Sequence, residues 1–283
     1  MDPTNADDAD AAYCLDQVRQ FDRDRYLTAL FVAAPARADL MALYAFNLEV
    51  AKTRELVREP MMGLLRLQWW RDSIAEIYAG TERRHQVVQP LAAAIRRHGL
   101  ERAPFDRLID AREDDMSKTP PADLAALVAY VDATAGGLGL LASQTLGGGS
   151  EQSVRAVSVA WGLAGLLRAV PFHARHRRIH LPQAVLAAHG LDTHDVLDQR
   201  RPPALAAVVR AVAAEASGHL ARGRERGRTA PRRLLPVMLL GTLAAKYLHQ
   251  LEAVGYDVYA PQLQVVPPGR VWRLLWARLI GRF

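Results

Sequence analysis

A run of basic and titratable side chains between positions 168 and 180 is the feature of this sequence that suggests chemistry most directly. Guanidinium groups form paired hydrogen bonds with phosphate oxygens, so the run could hold a diphosphate or a phospholipid head group without a metal ion. An exposed loop that is merely soluble, or that touches acidic lipid without specificity, is the alternative. The histidines have no nearby cysteine and no His-Glu-x-x-His pattern, so zinc is not expected. The side chains are Arg168, His173, Arg175, His176, Arg177, Arg178 and His180.

Carboxylates that could hold a metal ion occur in two places. Glu49 and Glu55 fall on different faces of a helix, which favours solvated or ion-paired roles, for instance with Lys52 or Arg54. The second place is an acidic run near a predicted helix end, and such runs are more often solvated faces than metal sites. Its members are Asp110, Glu113, Asp114 and Asp115.

Apolar residues spaced three and four apart predict a chain made of helices. The pattern is clear over 40–56 and 63–78, with Pro60 ahead of the second helix and Gly80 as its stop. Further helices are predicted at about 87–98, 102–115, 121–146, 152–170, 203–227 and 231–254. Neither a repeat nor a Gly/Ser-rich linker divides the sequence. We therefore expect an all-α protein with one main domain.

The two ends of the chain differ in composition from the rest. Residues 1–10 are acidic and small, which predicts a disordered tail, and they resemble neither a secretory signal nor a transit peptide. Residues 11–260 form the predicted helical domain. The longest apolar run, over 234–245, is broken by Pro236 and Gly241 and is shorter than the roughly 20 residues of a membrane span. We therefore expect no crossing of a membrane.

Residues 261–283 end in an amphipathic stretch. One helical face collects aromatic and aliphatic side chains, namely Trp272, Leu275, Trp276, Leu279 and Ile280. Cations surround it at Arg270, Arg273, Arg278 and Arg282. This pattern is typical of a helix lying in a membrane interface, with Trp272, Trp276 and Arg273 as docking residues. Docking on a partner protein and packing back onto the domain are the alternatives.

Overall charge and cysteine content set broad limits. Lys and Arg outnumber Asp and Glu by 36 to 30, which suits an anionic partner such as a membrane surface or a phosphorylated ligand. Nothing resembles a nucleic-acid-binding module. The single cysteine, Cys14, excludes an intrachain disulfide and is expected to be a small apolar residue on a helix.

Several short segments, taken in order, resemble the squalene/phytoene synthase family. None is specific alone, but their order and spacing together are. They are Tyr44-Ala45-Phe46, Leu67-Gln68-Trp69-Trp70-Arg71, Tyr78-Ala79-Gly80, Leu108-Ile109-Asp110 through Asp115, Tyr130 with Ala135-Gly136 and Gly139, Leu167-Arg168, and Arg178-Ile179-His180-Leu181-Pro182.

The resemblance implies an isoprenoid-synthase-type helical bundle around a central cavity. Enzymes of this family join two prenyl diphosphates, and two aspartate-rich motifs on facing helices bind the Mg²⁺ ions that neutralise the leaving diphosphate. The resemblance also makes a set of side chains candidates for binding an anion or another ligand. The set is Arg168, His173, Arg175, Arg178, Tyr44 and Tyr130.

Both motif positions depart from the family pattern. The first falls on residues 51–55, where Ala51 replaces an acid, Lys52 and Arg54 add cations, and Glu55 alone is a carboxylate. The second falls on residues 169–173, where Ala169 and His173 stand in place of aspartates. We therefore expect no metal cofactor and assign no catalytic residue.

One branch of the family, the mitochondrial assembly factors for respiratory complex I, is similar over 45–51, 66–70 and 168–173. This resemblance implies a membrane-associated role on the matrix side of mitochondria, with complex I subunits or assembly intermediates as partners. The richness in alanine and arginine and the lack of a transit peptide suggest a bacterial relative instead, peripheral on the cytoplasmic face of the membrane. An active prenyl transferase that uses Mg²⁺ through Glu55 and Asp115 is a second hypothesis. An isoprenoid- or lipid-binding protein is a third.

Overall fold

The computed structural model describes residues 3–117, 119–265 and 269–283. Within these ranges the chain is helical throughout its regular structure, with no strand, which confirms the all-α prediction. The helices are α1 (Pro3–Phe21), α2 (Arg23–Ala29), α3 (Ala34–Ala51), α4 (Thr53–Leu56), α5 (Pro60–Ala79), α6 (Val88–His98), α7 (Arg102–Ala111), α8 (Leu124–Val131), α9 (Gly137–Thr145), α10 (Glu151–Arg168), α11 (Val170–Arg175), α12 (Gln183–Ala188), α13 (Thr193–Leu197), α14 (Leu205–Arg226), α15 (Leu235–Ala253), α16 (Pro261–Gln264) and α17 (Arg270–Ile280).

Local sequence signals set several helix ends. Pro60 is the first residue of α5, where its missing N–H costs no hydrogen bond. Gly80 ends that helix in the left-handed conformation, with φ of 73°. Asp123 begins α8 by accepting a hydrogen bond from the N–H of Ala126 at 2.8 Å. The predicted helices therefore occur, with boundaries set by their caps.

Two predicted helices are interrupted where the candidate site lies. The helix expected over 102–115 becomes a 3₁₀ turn at Arg112–Met116, and the one expected over 121–146 contains a π-helical turn at Asp132–Gly136. In the latter, the Thr134 hydroxyl donates to the Tyr130 carbonyl at 2.8 Å. Such insertions rotate the side chains that follow them and are frequent at functional sites.

One continuous apolar core joins the helices, running from Cys14 on α1 to Ala277 on α17. Helix α10 lies in its middle, packed against α9, α14 and α15. Phe46 on α3 meets Trp70 and Phe105 edge to face, with centroid distances of 5.4 Å each. Trp70 is fully buried while Trp69 is only partly so, as expected when one of the pair belongs to the core.

The first helix corrects our expectation of a disordered tail over 1–10. From Pro3 onward the described chain is helical, and residues 1 and 2 lie outside the described ranges. Asp10 is buried and pairs with Arg84 at 3.0 Å, so an acid of the predicted tail has a cationic partner in the folded domain. Cys14 is fully buried on the same helix, as predicted.

The last helix packs onto the domain by a narrow stripe. Arg270, Leu274 and Ala277 are buried against the bundle, and α17 contacts α15. The opposite face points outward: Trp272, Trp276 and Leu279 are 76%, 64% and 77% exposed. One stripe of this segment therefore packs back onto the domain, while its apolar face is exposed, and docking of that face on a membrane or a partner protein stays a prediction.

Two helical stretches of the described chain, 124–145 and 232–253, have the length and composition of a membrane span. In the bundle, 50% and 72% of their most apolar windows are buried by other helices. Core helices of globular proteins meet the same criterion, and the second stretch contains α15, which packs against α10, α2 and α17.

Candidate functional site

A buried carboxylate, Asp115, lies at the centre of a charged cluster. Its oxygens meet Arg178 at 2.8 Å and Arg112 at 3.2 Å, and they accept a hydrogen bond from the Tyr130 hydroxyl at 2.9 Å. Arg112 also donates to the Tyr130 oxygen at 2.8 Å. The 3₁₀ turn supplies Arg112 and Asp115, α8 supplies Tyr130, and the loop after α11 supplies Arg178.

The electrostatics of the cluster keep Asp115 ionised. Burial by itself would raise the pKa of this carboxyl, but Arg112 and Arg178 outweigh burial and lower the pKa below its usual value. Burial raises the pKa of Tyr130 well above its usual range, so its hydroxyl stays protonated. Two guanidinium groups thus face one carboxylate, which leaves the cluster with excess positive charge.

Two histidines pack beside this cluster. His180 stacks on Tyr130 with centroids 5.5 Å apart, and His173 meets His180 edge to face at 4.6 Å. Burial lowers the pKa of His180 to about 4, and burial together with His180 and Arg178 lowers that of His173 to about 2. The Nδ1 atom of His173 is buried and has no hydrogen-bond partner among the described residues.

These positions correct our interpretation of 168–180 as one cationic run. Its two buried histidines are neutral at neutral pH, and the buried Arg178 is already paired with Asp115. Only the middle of the run, with Arg175, His176 and Arg177, is exposed. The short helix α11, with Pro171 near its start, turns the remaining side chains inward.

A pocket of about 230 Å³ opens onto the cluster. Tyr130, Arg178 and His180 form one wall, and Ser117, Thr119 and Pro120 lie on the other side. Its volume is below the 300–1,000 Å³ that is usual for sites that enclose drug-sized ligands. Asp114 and Asp115 also line it, so the pocket offers two carboxylates as well as a hydroxyl, a guanidinium and an imidazole to a small polar group.

The structure brings together only part of the predicted ligand set. Tyr130 and Arg178 share the Asp115 cluster, and His173 joins it through His180. Arg168 instead lies over the Tyr247 ring, 3.6 Å from its centroid. Arg175 is exposed and donates to the Pro171 carbonyl.

Tyr44 lies in yet another environment, buried with the Arg25 guanidinium 5.6 Å from its ring centroid. Burial raises its pKa far above the usual range. Its hydroxyl is therefore neutral and set inside the core.

The first motif position lies where α3 gives way to α4. Ala51 ends α3, and the Lys52 ammonium lies 3.1 Å from the centroid of the Phe21 ring. Glu55 is exposed. Glu49 is ion-paired as we expected, but its partner is Arg66 on α5 rather than Lys52 or Arg54.

Carboxylates of the acidic run form ion pairs with arginines. Arg71 on α5 bridges Asp110 at 2.6 Å and Glu113 at 2.7 Å, and Asp115 belongs to the buried cluster. No group of three or more metal-binding side chains forms among the described residues. The run is therefore explained by ion pairs.

Sequence reasoning missed a second buried charge cluster. Asp24 on α2 accepts a hydrogen bond from Tyr247 at 2.7 Å and another from Arg270, the first residue of α17. Asp24 and Arg270 are 246 positions apart, so no local spacing signals the pair. Arg112 could have been found, since it lies three residues before Asp115 in a predicted helix.

Comparisons with known proteins agree with this architecture. The sequence profile of the family described as squalene/phytoene synthase matches residues 18–278. The chain belongs to the squalene/phytoene synthase family. Among solved structures, a dehydrosqualene synthase in complex with ligand superposes with a TM-score of 0.84 at 17% identity, covering 99% of this chain and 98% of that one. Squalene synthase HpnC from Alicyclobacillus acidocaldarius gives 0.79 at 20% identity, covering 90% and 97%.

Curated relatives come from two branches of the squalene/phytoene synthase family. Assembly factor 6 of NADH dehydrogenase (ubiquinone) complex I from Bos taurus is 31% identical over 255 residues, covering 89% of this chain and 77% of the relative. Phytoene synthase 3 from Zea mays is 28% identical over 200 residues, covering 66% and 46%. The recognised family and its fold are thereby confirmed.

The side chains at the two motif positions do not fit the magnesium cluster that the family implies. Hard divalent cations need several carboxylate oxygens. Among residues 51–55, Glu55 is the one residue with a carboxylate. At the second position His173 packs against His180, and the nearby positive charge of Arg178 would repel a cation. Lys52 adds a further positive charge at the first position.

Proposed function

We propose that this member of the squalene/phytoene synthase family is an assembly factor for respiratory complex I that works at a membrane surface and does not transfer prenyl groups. The proposal rests foremost on the loss of acids from both motif positions. A diphosphate leaving group carries several negative charges, and divalent cations must neutralise them before it can depart. Here Ala51, Ala169 and His173 occupy positions that should supply carboxylates, and Glu55 alone supplies one.

The assembly role is taken from relatives that carry that name. Assembly factor 6 proteins from Bos taurus, Mus musculus and Homo sapiens are 31%, 29% and 28% identical over the same length of chain. We infer that complex I subunits or assembly intermediates are the partners, and that the protein lies on the cytoplasmic face of a bacterial membrane.

The outward face of α17 supports the attachment to a membrane. At about 100° per residue, Arg273 and Arg278 fall on opposite edges of the apolar face that Trp272, Trp276 and Leu279 form. Aromatic side chains with flanking cations suit the boundary between acyl chains and anionic head groups. The buried stripe on the other side of the helix holds this face outward.

The function is tested by deletion and complementation. A strain without the gene should lose NADH:quinone reductase activity and assembled complex I on native gels, and the wild-type gene should restore both. Glu55→Gln should restore both equally, because an assembly role needs no metal ligand. Normal complex I in the deletion strain would show that the assembly role is wrong.

Attachment is tested by the double variant Trp272→Ser, Trp276→Ser. Both side chains are exposed, so the Tm should stay unchanged while the protein moves from the membrane pellet to the soluble fraction. If the double variant stayed in the membrane fraction, α17 would not be what attaches the protein to the membrane, and the assembly role would have to be judged from the deletion strain alone.

A further inference from the structure

A second pocket lies at the end of α17. It has a volume of about 620 Å³ and is formed by the end of α14, the 3₁₀ turn Gly227–Thr229 and the residues that follow α17. Three arginines line it, Arg224, Arg228 and Arg282, together with Ile280. No acidic side chain of the described part of the chain lines it.

The charge in this pocket is not compensated by the described part of the chain. Elsewhere exposed arginines such as Arg155 and Arg177 pair with aspartates. Among the described residues, Arg228 and Arg282 have no carboxylate within salt-bridge distance. Arg224 uses its Nε to bind the backbone oxygen of Phe283 at 3.0 Å. A cluster of unpaired guanidinium groups attracts an anion and can hold phosphate oxygens in pairs.

The pocket is held in shape by the ring of Phe283. This ring fills a slot beside two glycines, where a Cβ on Gly227 would lie 2.8 Å from the ring and one on Gly241 would lie 3.0 Å from it. Only glycine leaves that space. Because Arg224 binds the backbone of the same residue, one wall of the pocket is fixed before any ligand arrives.

The lining also includes one aliphatic side chain, Ile280, which adjoins the exposed apolar face of α17. Ile280 is 47% exposed, and Leu279 and Trp276 beside it belong to the docking face. A ligand that reaches this place can therefore meet guanidinium groups and an apolar surface together. Phospholipids carry a phosphate directly next to acyl chains, and free phosphate does not.

We propose that this arginine pocket binds the phosphate of an anionic phospholipid while the apolar face of α17 lies among the acyl chains. The proposal deepens the membrane attachment stated under the proposed function and rests on it. The tryptophans provide attachment to any bilayer, and the pocket provides the preference for anionic lipid.

The test is co-sedimentation of the full chain with vesicles of phosphatidylcholine, alone or with about one fifth phosphatidylglycerol. Wild-type protein should bind the anionic vesicles more tightly. Arg228→Gln with Arg282→Gln should weaken that binding by about tenfold and leave binding to phosphatidylcholine unchanged. Arg37→Gln with Arg107→Gln removes the same charge from α3 and α7, and should weaken binding by less than about twofold.

Three outcomes would contradict the proposal that the arginine pocket binds phospholipid. Equal loss in the two double variants would show diffuse attraction by net charge, and no loss in the pocket variant would show that these arginines are not used. A rise in Tm with inorganic phosphate that disappears in the pocket variant, while vesicle binding persists, would make this a free-phosphate site. In each case, if the Trp272→Ser, Trp276→Ser variant lost vesicle binding, the proposed attachment to the membrane through α17 would still be supported.

Discussion

At the scale of single residues, Asp115 determines whether the candidate site holds together. It is 3% exposed, forms ion pairs with Arg178 and Arg112, and accepts a hydrogen bond from the Tyr130 hydroxyl. Without this carboxylate, the two guanidinium groups would carry uncompensated positive charge in the protein interior, which solvates charge poorly. The neighbouring Asp114 is exposed, so the two adjacent acids should respond very differently to the same change.

Asp115→Asn should lower the free energy of unfolding by about 3–5 kcal/mol, because it leaves buried cations uncompensated. Asp114→Asn, the matched control, should change it by less than about 0.5 kcal/mol. Urea denaturation followed by circular dichroism measures both. Equal small effects would mean that water or another acid compensates the arginines.

The two buried histidines make stability depend on pH. In the unfolded chain a histidine takes up its proton near pH 6.5, whereas in the fold the pKa of His180 is about 4 and that of His173 about 2. Between these values the unfolded state binds more protons, so stability is full above about pH 6.5 and falls as the pH drops. Acidification to about pH 5 should cost about 2 kcal/mol for His180 alone.

His180→Phe keeps an aromatic ring on Tyr130 and removes one of the two titrating groups, so the loss of stability between about pH 7 and pH 5 should shrink by about 2 kcal/mol while the share of His173 remains. His189→Gln, on an exposed residue, should leave the wild-type pH profile as it is. Urea unfolding at several pH values makes the comparison. A profile for His180→Phe as steep as that of the wild type would assign the acid sensitivity to other groups.

At the scale of elements, α17 is a helix fixed at both ends with a free outer face. Arg270 at its start binds the buried Asp24, and the ring of Phe283 after its end fills the slot beside Gly241. Between these anchors only Leu274 and Ala277 are buried. So short a stripe supplies little burial energy, and the two end anchors must carry much of the docking.

Phe283→Ala should therefore loosen α17 while the rest of the bundle remains folded. We expect amide hydrogens of α17 to exchange faster by a factor that corresponds to about 1–3 kcal/mol. Trp276→Ala removes a larger aromatic side chain from the same segment, but an exposed one, and should leave the exchange rates nearly unchanged. Mass spectrometry after hydrogen exchange distinguishes the two. Equal protection of the α17 amides in both variants would mean that the ion pair of Asp24 with Arg270 is enough to hold α17 on the bundle.

Helices and their ends could be predicted from the sequence because the signals are local. Apolar spacing locates α3 and α5, and Pro60 and Gly80 mark the ends of α5. Spacing shows which face of a helix is apolar, but not which other helix covers it. The ion pair of Asp24 with Arg270 joins residues 246 positions apart and has no local signature.

The candidate site shows the same limit. Family order grouped Tyr130 with Arg178, and the structure places both side chains against Asp115. It also grouped Arg168 and Tyr44 with them, and the fold places those two against Tyr247 and Arg25 instead. The pairing of Arg178 with Asp115 depends on the 3₁₀ turn, which the helical pattern over 102–115 does not predict.

At the scale of the whole molecule, this family member has the fold of the squalene synthases, while Glu55 is the one carboxylate at its two motif positions. The superposition on a dehydrosqualene synthase covers 99% of the chain, so the scaffold is retained. A bundle of this kind is stabilised by its apolar core, which runs through α10, α14 and α15 and does not depend on metal ligands. Loss of the acids therefore leaves the fold intact.

Incubation with farnesyl diphosphate and Mg²⁺ should release no diphosphate above the rate without protein. One carboxylate at Glu55, beside Lys52 and Arg54, cannot hold the several cations needed to neutralise the leaving group. For the same reason Mg²⁺ should leave the Tm unchanged, and Glu55→Gln should behave as the wild type in both measurements. A coupled assay for diphosphate and a thermal melt in Mg²⁺ or in EDTA provide the data. Turnover that requires Mg²⁺ and disappears in Glu55→Gln would identify an active prenyl transferase, and the two motif positions would then have to bind metal through ligands other than aspartate.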